Sequence, residues 1–248
     1  MHLKERVKRS LLGRLLPVPA KARHAEYSMI FSADDEPSRA SPRLLSVALD
    51  AITRAQHVSL SDISARLGHP PYYPDIWPGE SYKLLAGFVL TLEPKLVVEL
   101  GTGVGTSALS MKRCLPTHSR LITFDVIHWK SYPGHLFIED DLADGRLVQH
   151  TDDLTRPEVF AQYRTVFEEA DLMFIDAAKD GVMEQTFIEA FSTVAFRRQP
   201  LIIFDDIRVW NMLKIWRNLP RPKLDLTSFG HWTGTGLVEW SARPSASG

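Results

Sequence analysis

Four acids in the middle of this 248-residue chain each sit at or near the end of a short apolar run: Glu99 in LVVEL, Asp125 in LITFD, Asp176 in DLMFID and Asp205 in LIIFD. Asp206 follows the last of them directly, and Lys179 stands three residues after Asp176. Carboxylates gathered in one place repel, so they need hydroxyl or amine donors, or a cation, between them. Between the first two acids Gly101, Gly103 and Gly105 alternate with Thr102 and Val104, ahead of Thr106 and Ser107. Alternating glycines let the backbone approach a ligand closely and adopt positive φ. A helix beginning just after them offers unpaired N–H groups to an anionic moiety. Together these residues read as a cofactor-binding turn beside a row of acids.

The elements that must place these groups follow from the apolar periodicity. Strands are expected at Leu96–Leu100, Arg120–Asp125, Arg146–His150, Asp171–Asp176 and Pro200–Asp205, with two more near Lys223–Thr227 and Leu237–Trp240. Helices are expected at Arg43–Gln56, Glu80–Leu92, Thr106–Leu115, Pro157–Glu168, Met183–Phe196 and Val209–Asn218. Alternating strands and helices predict a doubly wound, Rossmann-like α/β fold: a mostly parallel seven-stranded sheet with helices on both faces and an antiparallel last strand. Ligands of such sheets bind beyond the carboxyl ends of the strands, where the acids lie.

The glycine spacing separates two cofactor classes. A dinucleotide fingerprint G-x-G-x-x-G would place its third glycine where Thr106 stands. A carboxylate ahead of the first glycine opposes a pyrophosphate but suits an ammonium or sulfonium ligand, which favours S-adenosylmethionine. Leu96–Met111 together with LITFD resembles the class I S-adenosylmethionine-dependent methyltransferases. Within them, DLMFIDAAKD (Asp171–Asp180) and LIIFDDI (Leu201–Ile207) resemble the metal-dependent O-methyltransferases of the catechol and caffeoyl-coenzyme A type, over roughly Glu80 to Trp240. The resemblance implies that Glu99 and Gly101 meet the amino-acid end of the cofactor, with Thr102, Gly103 and Gly105 completing the turn. Ser107 would support its carboxylate, Asp125 bind the ribose and Asp152 approach the adenine amine. Asp176, Asp205 and Asp206 would ligate a metal, Asp176 also bordering the cofactor, and Lys179 would be the general base. The family usually has Asp-Asn where this chain has Asp205-Asp206. Three carboxylates suit Mg²⁺ better than zinc, with water and acceptor oxygens filling the remaining positions. The implied acceptor is a small hydroxylated molecule, a secondary metabolite or a sugar.

Other readings of the same residues stay open. Asp205 and Asp206 suit equally a helix N-cap and first-turn acid, and Lys179 a solvated loop. A metal-independent O- or N-methyltransferase using His231 or Lys179, or a non-catalytic S-adenosylmethionine-binding protein, would need the same glycine turn. Val126–Asp140 carries His128, Trp129, Tyr132 and His135, and Thr227–Gly236 carries His231 and Trp232. Aromatic residues at the ligand edge suit a lid over a flat acceptor; the other reading makes Trp232 a core residue of a packed turn. The proline-rich His69–Pro78, with Tyr72, Tyr73 and Trp77, is a rigid loop that would close the site from the other side.

Composition is that of an ordinary globular chain, 44% hydrophobic and 24% charged. The single Cys114 excludes an intramolecular disulfide and points to a reducing, cytoplasmic setting. Seven basic residues against Glu5 give Met1–His24 a charge of +6, leaving −7 for the rest; an acidic body argues against a nucleic-acid partner. Leu3, Val7, Leu11 and Leu15 form one stripe ended by Pro17 and Pro19. It suits attachment to an anionic membrane surface, or, as the commoner use of such a helix, cover for the domain or for a homodimer interface. The expected organisation is an N-terminal extension over residues 1–78, the methyltransferase domain over 79–242 and a frayed tail over 243–248.

Overall fold

Every residue of Leu96–Leu100 is buried, as in a strand covered on both faces. This strand, β1, lies inside the sheet of the computed structural model, which describes residues 38–67, 73–209 and 211–240. The N-terminal stripe, the His69–Tyr72 part of the proline-rich loop and the tail lie outside the described residues. The other strands are β2 (Arg120–Phe124), β3 (Leu147–His150), β4 (Leu172–Ile175), β5 (Leu201–Asp205), β6 (Lys223–Asp225) and β7 (Thr235–Glu239). They form one seven-stranded sheet in the order β3-β2-β1-β4-β5-β7-β6. Neighbours from β3 to β5 pair in parallel, and β7 pairs antiparallel with both β5 and β6. The chain therefore turns outward in opposite directions from β1 and β4, and the crevice between their carboxyl ends is the ligand position of a doubly wound sheet. The expected fold is the observed one.

The helices are α1 (Pro42–Ala55), α2 (Ser61–Ser64), α3 (Tyr82–Leu92), α4 (Thr106–Arg113), α5 (Glu139–Leu142), α6 (Pro157–Gln162), α7 (Arg164–Glu169), α8 (Met183–Phe191) and α9 (Met212–Asn218). Helix α1 begins on Ser41, whose hydroxyl accepts from Leu44 N, with proline at the first helical position. Its stripe Leu44, Ala48, Ala51, Ile52 and Ala55 is buried, and α1 meets α3 at Gly87. A β-carbon there would stand 2.3 Å from the Ala51 carbonyl oxygen, so the two backbones touch. The helix expected over Pro157–Glu168 is broken at Tyr163 (φ −101°, ψ 7°) into α6 and α7. Phe160 and Phe167 stack across that break with ring centres 4.6 Å apart; burying a phenylalanine contributes about 1.5–3 kcal/mol. Helix α9 starts at Met212 with Asn211 as its cap, so Asp205 and Asp206 do not begin a helix.

Two contacts fix the closing hairpin. The fully buried Lys223 at the start of β6 donates to the carbonyls of Trp216, Leu219 (2.9 Å) and Arg217 (3.1 Å), capping the end of α9. In β7, a β-carbon on Gly236 would sit 2.5 Å from the Trp216 ring, so only glycine lets the strand lie flush against α9.

Candidate active site

The glycine turn is held from behind. Gly101 (φ +99°) donates its N–H to Phe124 O at 2.9 Å, and Asp176 N donates to Leu100 O at 2.8 Å, so the ends of β1, β2 and β4 interlock. A β-carbon on Gly101 would lie 1.9 Å from the Asp176 carbonyl oxygen. Asp125 Oδ2 accepts from Thr102 N and Gly103 N, both at 3.0 Å, and Oδ1 accepts from Ile127 N at 3.0 Å. The acid just past β2 thus shapes the turn and also borders the cavity in front of it. Glu99 is fully buried and accepts from Ser107 Oγ at 2.5 Å. Burial pushes its carboxyl up to about 8, against the pull of the Ser107 hydrogen bond. Thr102 and Thr123 share a hydroxyl contact of 2.7 Å beside them.

In front of the turn lies a cavity of about 300 Å³, walled by Gly101, Gly103, Asp125, Tyr132, Asp152 and Asp176 among others. Glu99, Thr102, Gly105 and Ser107 do not line it; they form its supporting layer. Gly105 (φ +94°) lets the Phe137 ring pack within 2.4 Å of where its β-carbon would be. Asp152 accepts from Tyr163 OH at 2.5 Å, and Tyr163 also contacts His150 Nδ1 at 3.2 Å. Burial and then the neighbouring Asp152 carboxylate push the phenol up to about 12. Of the loop aromatics, Tyr132 reaches the cavity, whereas Trp129 is core, packed edge-on to His135 at 5.1 Å.

The second half of the site lies at the ends of β4 and β5. Lys179 Nζ pairs with Asp176 Oδ1 and, at 2.7 Å, with Asp206 Oδ2; Asp205 Oδ2 is 4.0 Å away. Lys179 and Asp206 are both non-glycine residues at φ +57°. A left-handed backbone costs about 1–3 kcal/mol per residue and persists where surroundings enforce it, commonly at functional sites. At Lys179 the enforcing group is Glu184, 1% exposed, which accepts from Lys179 N at 2.6 Å and Gly181 N at 3.2 Å. Burial works to lower the Lys179 ammonium, but Asp176, Asp206 and Asp205 outweigh it and hold it above its ordinary value. Burial raises Asp176 despite Lys179, and raises Asp205 well above the usual carboxylate range, with Asp176 and Asp206 adding to it. For Asp206 burial acts upward as well, yet hydrogen bonds with His231, Lys179 and Thr233 hold it below that range.

The β6–β7 hairpin brings His231 to the same acids. Its Nδ1 stands 3.4 Å from Asp206 Oδ1 and 3.8 Å from Asp205 Oδ1, and its Nε2 lies 3.6 Å from Glu80 Oε2. Thr233 Oγ1 contacts His231 Nδ1 at 2.5 Å and donates to Asp206 Oδ1. The Asp206 hydrogen bond, together with the nearby acids, raises the imidazole above its ordinary value against desolvation. The hairpin is tied to the segment before α3: Gly79 N donates to Gly230 O at 3.2 Å, and Trp232 N to Gly79 O at 3.3 Å. Trp232 is 72% exposed, so the packed-turn reading of that residue does not hold. Sequence reasoning missed Glu80, Thr233, Glu184 and Tyr163. Their roles depend on hairpin closure and on the break between α6 and α7, which no local motif announces.

A model of the O-methyltransferase family matches residues 74–213. A methyltransferase from Geobacter sulfurreducens shares the fold with a TM-score of 0.52 at 16% identity, over 74% of this chain and 92% of that one. The SAH-bound methyltransferase PaMTH1 of Podospora anserina has a TM-score of 0.50 at 14% identity, over 86% of this chain and 98% of its own. No curated protein matches the sequence. The family match spans more than half of the chain, from before the glycine turn to beyond Asp206, and leaves His231 outside it. The chain belongs to the O-methyltransferase family and has the fold of these methyltransferases.

Proposed function

We propose that this enzyme methylates a hydroxyl oxygen of a small molecule, with a divalent cation, in the simplest case Mg²⁺, held by Asp205 and Asp206 beside Asp176. The carrying observation is the double position of Asp176: it walls the cofactor cavity and ion-pairs with Lys179, which also reaches Asp206. A methyl donor in the cavity would thus adjoin the acid cluster. The donors suit an ion, since Asp205 Oδ1 is buried without a hydrogen-bond partner among the described residues.

S-adenosylmethionine bound in the cavity would supply the methyl group from its sulfonium, the acceptor O–C bond forming as the C–S bond breaks. A divalent ion supplies Lewis-acid lowering of the acceptor hydroxyl pKa. Asp125 and Asp152 would hold its ribose and adenine ends, and the buried Glu99–Ser107 pair keeps the glycine turn in shape. Lys179 is the general base of this reading. The carboxylates keep its Nζ protonated at rest, and positive charge shared with Asp205 and Asp206 lowers it again. A vicinal diol or catechol is the natural acceptor, because two adjacent oxygens fix its orientation.

One observation favours a metal-free variant of the same reaction: Lys179 already supplies a cation among three carboxylates, leaving His231 as base. The test is methyl transfer to a panel of vicinal dihydroxy compounds before and after EDTA. Loss of activity on chelation, restored by a divalent ion, is expected. Full activity after chelation would leave the metal-free route, and methylation of amines alone would overturn the oxygen acceptor.

A further inference from the structure

We propose that His231 is a direct ligand of the ion site, making its donor set two carboxylates and an imidazole and its preferred occupant a first-row transition ion rather than Mg²⁺. This rests on the metal-assisted reading above. Among the described residues, the three metal-type donors whose ligand atoms all lie within 4.8 Å of one another are Asp205, Asp206 and His231; Asp176 is not part of that group.

The carboxylates are divided between two partners. Their Oδ2 atoms face Lys179 Nζ, at 2.7 Å for Asp206 and 4.0 Å for Asp205. Their Oδ1 atoms face His231 Nδ1, at 3.4 Å and 3.8 Å. An ion on the Oδ1 side therefore needs no movement of the lysine. Adjacent ligand atoms at about 2.1 Å from one ion stand about 3 Å apart, so the present spacing closes with small side-chain shifts. Asp205 Oδ1 supplies an independent sign: its side chain is 9% exposed, and that oxygen is buried without a hydrogen-bond partner among the described residues. Thr233 Oγ1, now between His231 Nδ1 and Asp206 Oδ1, is a further oxygen at the same spot.

The far side of the imidazole fits the same role. Glu80 Oε2 lies 3.6 Å from Nε2. Metal-binding histidines commonly give their other ring N–H to a carboxylate, which fixes the tautomer with the ligating lone pair toward the ion. Nitrogen donors favour Fe²⁺, Co²⁺ and their neighbours over Mg²⁺, which prefers oxygen alone.

The test uses the full chain loaded with Mn²⁺ or Co²⁺ alone. Pulsed electron paramagnetic resonance of the Mn²⁺ form is expected to show coupling to a histidine ¹⁴N, absent in His231→Asn. Equilibrium dialysis is expected to show Co²⁺ affinity falling at least about tenfold in that variant, with Mg²⁺ affinity changed much less. Binding of S-adenosylhomocysteine, whose cavity His231 does not line, reports that the variant is folded. Bound Mn²⁺ without nitrogen coupling, lost in Asp205→Asn, would overturn the histidine ligand and leave an all-oxygen metal site. No bound ion at all would overturn both this inference and the metal-assisted reading.

Discussion

Replacing Lys179 by methionine removes the one ammonium shared by three carboxylates while keeping most of the side-chain volume. With the ammonium go its pair with Asp176, its 2.7 Å pair with Asp206 and its 4.0 Å approach to Asp205. A unit pair at 4 Å is worth about 4 kcal/mol at an effective dielectric of about 20, so the gross Coulombic loss is large. The ammonium also regains its hydration on unfolding, which cancels much of it. Removing one partner of a buried pair costs about 3–5 kcal/mol net. Because the Asp176 side chain is 32% exposed, solvent screening places this case at the low end, about 3 kcal/mol. For a chain of this size that is a fall in Tm of about 6–12 °C. Differential scanning calorimetry at pH 7 in EDTA reads it directly. The sign with pH follows from Asp206, which is held below its ordinary value in the folded enzyme. Its contribution is present above the unfolded carboxylate value of about 3.9 and is lost as pH falls through the folded value. The deficit of the variant should therefore be full at pH 7 and shrink below about pH 4. Turnover should fall about 10²-fold or more while S-adenosylhomocysteine still binds. A Tm within 2 °C of the parent's at pH 7 would refute the counter-charge role of Lys179.

Three further outcomes are expected. Gly101→Ala sets a β-carbon 1.9 Å from the Asp176 carbonyl at φ +99°, a backbone clash that no side-chain rotation relieves. It should cost about 3 kcal/mol or more, and an unchanged melting curve would contradict that clash. Glu99 has its carboxyl raised by burial from 4.5 to about 8, so its contribution is full below about pH 4.5 and is lost as pH rises through about 8. Stability of the parent should then fall between pH 6 and 9 more than that of Glu99→Gln; parallel curves would count against a buried, protonated Glu99. Asp125→Asn weakens the charge-assisted hydrogen bonds to the turn and, on the proposed reading, those to the ribose, worth about 1.5–3 kcal/mol. Titration calorimetry should show S-adenosylhomocysteine bound roughly 10- to 100-fold more weakly, and equal affinity would show that the carboxylate only shapes the backbone.

The sheet and the glycine turn were legible because both are local patterns: apolar runs ending in acid, and glycines at every second position. Asp125, Asp152 and Asp176 line the cavity, whereas Glu99 and Ser107 turn toward each other behind it; nothing in LVVELGTGVGTS distinguishes the two layers. Trp129 and Trp232 stand in similar polar loops, yet one is core and the other projects into solvent. The difference is made by Gln149 and Phe137 packing round the first, and by the hairpin tie to Gly79 beneath the second. The grouping of Glu80 with His231 spans 151 residues and follows only from β7 entering the sheet between β5 and β6.

That insertion has a consequence for how the molecule behaves in a crowded solution. With β7 inside, the sheet ends among the described residues on β3, four residues long, and on β6, three residues long behind Pro220 and Pro222. Short edges offer little template for pairing with another chain. Strand β5 (LIIFD), buried at all five positions, would present a long apolar edge if the hairpin came away. The last strand thus acts as a seal: lesions that loosen it, such as bulk at Gly236 or loss of Lys223, should appear as self-association before they appear as lost cofactor binding.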